Sequence, residues 1–146
     1  MAKIPLMIDL DNRTDTTIDI TLLERIAQSL SDKDVELILL HDDEMAQINE
    51  EAREIAKTTD VLSFPYAEMP GAPLGSIVIS EDFVKRGAEE YGHSEDDERA
   101  LLFIHGMLHI LGYDHEVDKG EMRVKESELI QAFDLPESLI VRTEES

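Results

Sequence analysis

Three of the chain's five histidines fall within eleven residues, in the run His105-Gly106-Met107-Leu108-His109-Ile110-Leu111-Gly112-Tyr113-Asp114-His115. Imidazoles at that spacing can converge on one metal ion. A helical repeat of about 3.6 residues puts His105 and His109 one above the other on a single face, which is how a helix offers two ligands to one ion. Gly112 then supplies the break. Without a Cβ it can adopt a positive φ, so the helix can end there and the chain can turn His115 back as a third ligand.

The competing reading is that His105 and His109 merely interrupt a buried helix, since Ala100 to Ile104, Leu108, Ile110 and Leu111 around them are apolar. Two histidines on one apolar face without a shared partner would bury several polar nitrogens, at ~1–3 kcal/mol for each unpaired group. The metal site is the better account. The order of histidines and glycine is the ligand spacing of the metzincin zinc proteases, H-E-x-x-H-x-x-G-x-x-H, but the glutamate that would act as general base is Gly106 here. Glycine can neither take nor give a proton, so a protease of that class is disfavoured. What remains is a three-imidazole site with an open fourth position, whose ion keeps its full charge to acidify water or polarise a phosphoryl oxygen. Zinc suits three neutral nitrogens best, and nickel, copper or iron would also accept them. Asp114 either orients a ligand histidine through its second nitrogen or serves as a turn residue after glycine.

The elements that must carry this run can be read from periodicity and punctuation. Ile4 to Leu10 reads as a strand, followed by an amphipathic helix from about Ile18 to Leu30. Val35 to Leu40 is a strand whose nearly continuous apolar run suggests cover on both faces, and Asp42 or Asp43 then caps a helix through Met45, Ile48 and Ala52. Asp60 to Phe64, ending at Pro65, and Gly75 to Ile79, ending at Ser80, are further extended segments. Ser80 with Glu81 opens a helix to about Tyr91 closed by Gly92, Ser94 caps the histidine helix to Leu111, and a last helix covers about Asp118 to Phe133. The expected fold is α/β, a small mixed four-stranded sheet with about five helices packed on it, as one domain over residues 1–146.

Composition narrows the function. With no cysteine there is neither a disulfide framework nor a thiolate zinc site, so nitrogen and oxygen must hold any metal. The first residues meet acid too early for a signal-peptide core, and no apolar stretch approaches membrane-spanning length, so a cytoplasmic protein is expected. The formal charge of −21 offers no basic stripe for nucleic acid. The acidic run Glu95-Asp96-Asp97-Glu98 reads as the negative first turn of the helix after Ser94 rather than as a cation site.

With three further segments the histidine run resembles the YbeY family of metal-dependent endoribonucleases that act in ribosomal RNA maturation. Those segments are Ile48-Asn49 followed by Arg53, Thr59 to Pro65, and Leu74-Gly75 followed by Ile77 to Ser80, and the resemblance covers roughly residues 35 to 130. The resemblance implies an α/β fold, zinc on His105, His109 and His115, hydrolysis of single-stranded RNA, and a role beside the ribosome and its proteins. It also implies that Arg53 is a functional arginine sharing a cleft with the metal, where its guanidinium would steady the charge of a phosphodiester transition state. Read alone, Arg53 among Glu50, Glu51 and Glu54 is equally a surface ion-pair former. Ser63 and Phe64 either line a substrate groove or simply end a strand before proline. The chain departs from the family pattern at Ala52, where an aromatic residue is usual, and at Ser76, where an aspartate is usual. Positive charge for RNA would have to come from the cation with Arg53, Lys57, Lys85 and Arg86. Two rivals remain: a metal-dependent hydrolase of peptides or small phosphoesters, and a non-catalytic ribosome-assembly factor with a structural metal.

Overall fold

Ser94 starts the element on which everything else is hung. Its hydroxyl accepts a hydrogen bond from the Asp97 N–H at 3.0 Å, capping helix α4, Glu95–Ile110. Unlike a surface helix, α4 is buried almost all round, from Glu98 through Ile104 and again at Gly106, Met107 and Leu108. The structure is a computed structural model that describes residues 8–53, 61–66, 73–113 and 120–135. Around α4 it has strands β1 Ile8–Asn12, β2 Val35–Leu40, β3 Val61–Pro65 and β4 Gly75–Ser80. The remaining helices are α1 Thr21–Leu30, α2 Asp42–Arg53, α3 Glu81–Tyr91 and α5 Glu121–Ala132.

The strands form one mixed sheet in the order β1-β2-β4-β3. β1, β2 and β4 run parallel, with Ile8 opposite Val35 and Leu37 opposite Ile77, while β3 is antiparallel to β4 with Ser63 opposite Ile77. Parallel neighbours need a crossover, which α1 supplies between β1 and β2. The expected α/β fold with a four-stranded mixed sheet and five helices is therefore what the chain adopts.

Apolar residues divide between the two faces. Leu37, Leu39, Ile77 and Ile79 join Ile26, Val84, Phe103, Ile104, Met107, Leu108 and Ile130 in the main core. Leu40, Met45, Leu62 and Val78 make a smaller cluster, with Ile38, Ile48 and Phe64 against it, so α2 covers the opposite face. Every residue of β4 is buried, as befits a strand covered on both sides.

Several boundaries differ from the sequence expectation for local reasons. α1 begins at Thr21 rather than about Ile18, because the Asp19 carboxylate accepts from both the Thr21 N–H at 2.9 Å and its hydroxyl at 2.6 Å. That local bond competes with an earlier helical turn. Neither Asp42 nor Asp43 caps α2. Asp42 is its first residue, and its N–H donates to the Asp82 carboxylate of α3 at 2.8 Å. This backbone bond above all, with His41 and Arg86 adding to it against a desolvation penalty, holds the Asp82 carboxyl below its ordinary range. β1 is described only from Ile8, and the first residues of the expected last helix lie outside the described residues. The caps at Ser80 and Ser94 and the left-handed Gly92, φ 74°, stand where expected.

Candidate metal centre

The exposed break in the burial of α4 is made by histidine. His105, His109 and Ile110 are half-buried on a helix whose other residues from Glu98 to Leu108 are buried. The Nε2 atoms of His105 and His109 face each other 3.0 Å apart, and the rings meet edge to face with centroids 4.6 Å apart. Two ligands on one tetrahedral zinc, each at about 2.0–2.1 Å, stand roughly 3.3 Å apart, so the pair is a few tenths of an ångström too close for such an ion and a small ring rotation would open it to fit. Both nitrogens carry a lone pair when turned inward as acceptors, and a cation between them satisfies both at once.

The third expected ligand, His115, lies outside the described residues, as does Asp114. Among the described residues no group of three or more histidine, aspartate or glutamate side chains is gathered to hold an ion. The described part of the centre is therefore the helical pair. Past it, Gly112 has φ 102°, the left-handed conformation that ends α4 and that a residue with a Cβ would resist. Its N–H donates to the His109 carbonyl at 3.1 Å, and Tyr113 donates to the Leu108 carbonyl at 3.0 Å. Gly112 thus ends the helix, as its place in the sequence leads one to expect.

Gly106 has a role that reading it only as a missing base did not reveal. A Cβ built there would stand 2.9 Å from Cγ2 of Ile77, so this glycine lets α4 lie directly on β4. Its position points into the sheet and away from the imidazole pair. Nearby, a Cβ on Gly75 would meet the Phe64 carbonyl at 2.6 Å and Ile110 at 3.0 Å, which sets the end of α4 over the start of β4.

Arg53 is the last residue of α2 and is placed by its backbone alone. α2 starts where β2 and β4 end, tied by the Ser80 hydroxyl donating to Asp42 at 2.7 Å, and covers the face of the sheet opposite α4. Ser63 and Phe64 are both on β3. Phe64 lies against the Leu40, Met45, Leu62 and Val78 cluster, which accounts for it by packing. Lys57 is outside the described residues. Arg86 bonds to Asp42 at 2.9 Å and lies over the Phe83 ring, so its charge is matched locally.

At Ser76 the departure from the family pattern has a counterpart across the ladder. Ser76 is buried, and its hydroxyl donates to the carboxylate of Glu36, its register partner on β2, at 2.7 Å. Tyr66 donates to the same carboxylate oxygen at 2.9 Å. A carboxylate thus does stand at this point of the sheet, one strand over.

Sequence reasoning missed Glu126. This residue of α5 is only 3% exposed, and its Oε1 lies 3.7 Å from Nδ1 of His105, on the side of the ring away from His109. The available signal was an acid inside an apolar stripe, since Met122, Leu129 and Ile130 of the same helix are buried with it.

Residues 7–134 match the model of a family described as Endoribonuclease YbeY. The endoribonuclease YbeY of Nautilia profundicola is 61% identical over 139 residues, covering 95% of this chain and 100% of that protein. That of Wolinella succinogenes is 64% identical over 139 residues, covering 95% of this chain and 99% of the other. Among solved structures, the solution structure of TM1509 from Thermotoga maritima superposes with a TM-score of 0.61 at 28% identity, covering 87% of this chain and 89% of that one.

Proposed function

The chain belongs to the endoribonuclease YbeY family, and from that premise we propose that it is a metal-dependent endoribonuclease that cuts single-stranded RNA in ribosomal RNA maturation and ribosome quality control. The whole chain, residues 1–146, works as one domain in the cytoplasm, beside the ribosome and its proteins. No helix among the described residues is long and apolar enough to cross a membrane. The single observation that carries the reading is the pair of Nε2 atoms 3.0 Å apart on an otherwise buried helix.

Zinc on His105, His109 and His115, when bound, supplies Lewis acidity to a phosphoryl oxygen and lowers the pKa of a water at an open position. The protein's own contribution is positional. α4, seated on β4 through Gly106, fixes His105 and His109 side by side, and Gly112 ends the helix before His115. Arg53 provides a guanidinium fork for the non-bridging oxygens as charge gathers on them. In a chain of net charge −21, this arginine and the cation are the local attraction for a phosphodiester. A peptide-hydrolase reading is disfavoured on structural grounds as well, because any side chain at position 106, a glutamate included, would collide with Ile77.

The test is metal content and cleavage measured together. Purified protein should carry about one zinc per chain, and a His105→Ala, His109→Ala, His115→Ala triple variant none. Single-stranded RNA should be cut by the former only, and a wild-type protein that cuts RNA equally well after complete chelation would refute the proposal. Sequencing the ends distinguishes water attack, which leaves no cyclic phosphate, from attack by the ribose 2′-hydroxyl.

A further inference from the structure

We propose that Glu126 is a positioning residue for the metal centre, fixing His105 in the tautomer that turns its lone pair towards His109. The inference rests on the metal reading above but makes a separate claim about the protein before any ion binds. Its observations are three. Glu126 is buried, its side chain 4% exposed, in a chain where acids are otherwise abundant at the surface. Its Oε1 lies 3.7 Å from His105 Nδ1, within reach of a hydrogen bond after a small rotation of either side chain. The opposite nitrogen of the same ring, Nε2, is the one that faces His109.

A carboxylate only accepts hydrogen bonds, so the nitrogen facing it must carry the proton. Nδ1–H towards Glu126 leaves Nε2 as the acceptor, aimed at the point between the two histidines. An imidazole in water favours the other tautomer, in which Nε2 carries the proton and cannot bind a metal. Glu126 therefore selects the ligand form and, by its negative charge, makes Nε2 a stronger donor. Since Glu126 projects from α5 and His105 from α4, the contact also locks the ring's rotation between two helices that pack together. Burial of a carboxylate is costly unless a donor meets it, and the imidazole N–H is such a donor.

The experiment reads the tautomer directly, by nitrogen NMR of the histidine rings in metal-free full-length protein at a pH of about 8, where imidazole is neutral. Wild type should show His105 as the Nδ1–H form. Glu126→Met, which fills the space without an acceptor, should shift it towards Nε2–H, whereas Glu126→Gln, which keeps an acceptor oxygen, should not. Zinc affinity, measured by competition with a chromogenic chelator, should fall about 10- to 100-fold in Glu126→Met and by less in Glu126→Gln. A residue that merely packs would change the melting temperature of the metal-free protein and leave tautomer and affinity alone. An Nε2–H form in wild type, which needs no variant to detect, would overturn the inference, as would an unchanged tautomer in folded Glu126→Met. If wild type shows the Nδ1–H form but binds no zinc, the positioning role stands and the metal reading falls.

Discussion

The two ends of α4 hold side-chain pairs of opposite character. At its first turns, Arg99 lies between Glu81, met through two hydrogen bonds of 2.9 and 2.6 Å, and Asp96 at 2.8 Å. Burial alone would lower the Arg99 guanidinium, but the bonds and charge of Glu81, then of Asp96, outweigh it and leave it raised. Donors there face acceptors. At the other end two identical imidazole nitrogens face each other at 3.0 Å, where one can donate to the other or both can turn their lone pairs towards a cation. Complementary partners at close range describe a structural tie, whereas like groups held face to face on a helix are what the proposed metal site would use. Both are polar interruptions of one apolar helix, and only geometry separates them.

That contrast can be broken most severely at the imidazole end. His109→Ala should abolish metal-dependent RNA cleavage, by about 10³-fold or more, in a cleavage assay with matched metal-free controls. Because His109 is only half-buried, the metal-free melting temperature should move little. Arg99→Ala should do the reverse. It leaves the Glu81 carboxylate buried without its partner, so it should destabilise by about 3 kcal/mol in denaturant titration, with zinc stoichiometry unchanged in the folded fraction.

Gly106→Ala tests the contact between helix and sheet that the imidazole pair depends on. Overpacking against Ile77 should cost about 2 kcal/mol and also weaken zinc binding, as the chelator competition would show. Asp82→Asn is the smallest case, at about 1 kcal/mol near neutral pH. The Asp82 carboxyl is lowered in the folded protein, so its contribution is present above its unfolded value near 3.9 and is lost as pH falls through the lower folded value. Wild type and variant should accordingly converge in stability in the acid range below about pH 4.

Much of this was readable from local pattern, and the misses share a cause. Ser80, Ser94 and Gly92 act on backbone groups within a few residues of themselves, so their roles follow from type and position. The facing of His105 and His109 likewise needs only the helical repeat. α2 is different, since its first N–H is met by Asp82, 40 residues further on, and no neighbouring residue announces that. Glu126 and Glu36 become legible only once α5 is laid on α4 and β2 beside β4. Gly106 was read for the chemistry it lacks, while its contribution is the space it leaves for Ile77. Strand order β1-β2-β4-β3, which puts Glu36 beside Ser76, is a property of the assembled sheet.

Seating the two imidazoles on a helix pressed without a gap against a fully covered strand has a mechanical consequence. The pair rises from a helix packed closely on a buried strand, and close-packed interiors yield little. On the proposed metal reading, an ion would find two of its donors already placed, with the ordering cost met during folding rather than at capture. Affinity should therefore respond more steeply to substitutions at Ile77, far from any donor atom, than to changes of surface charge nearer by.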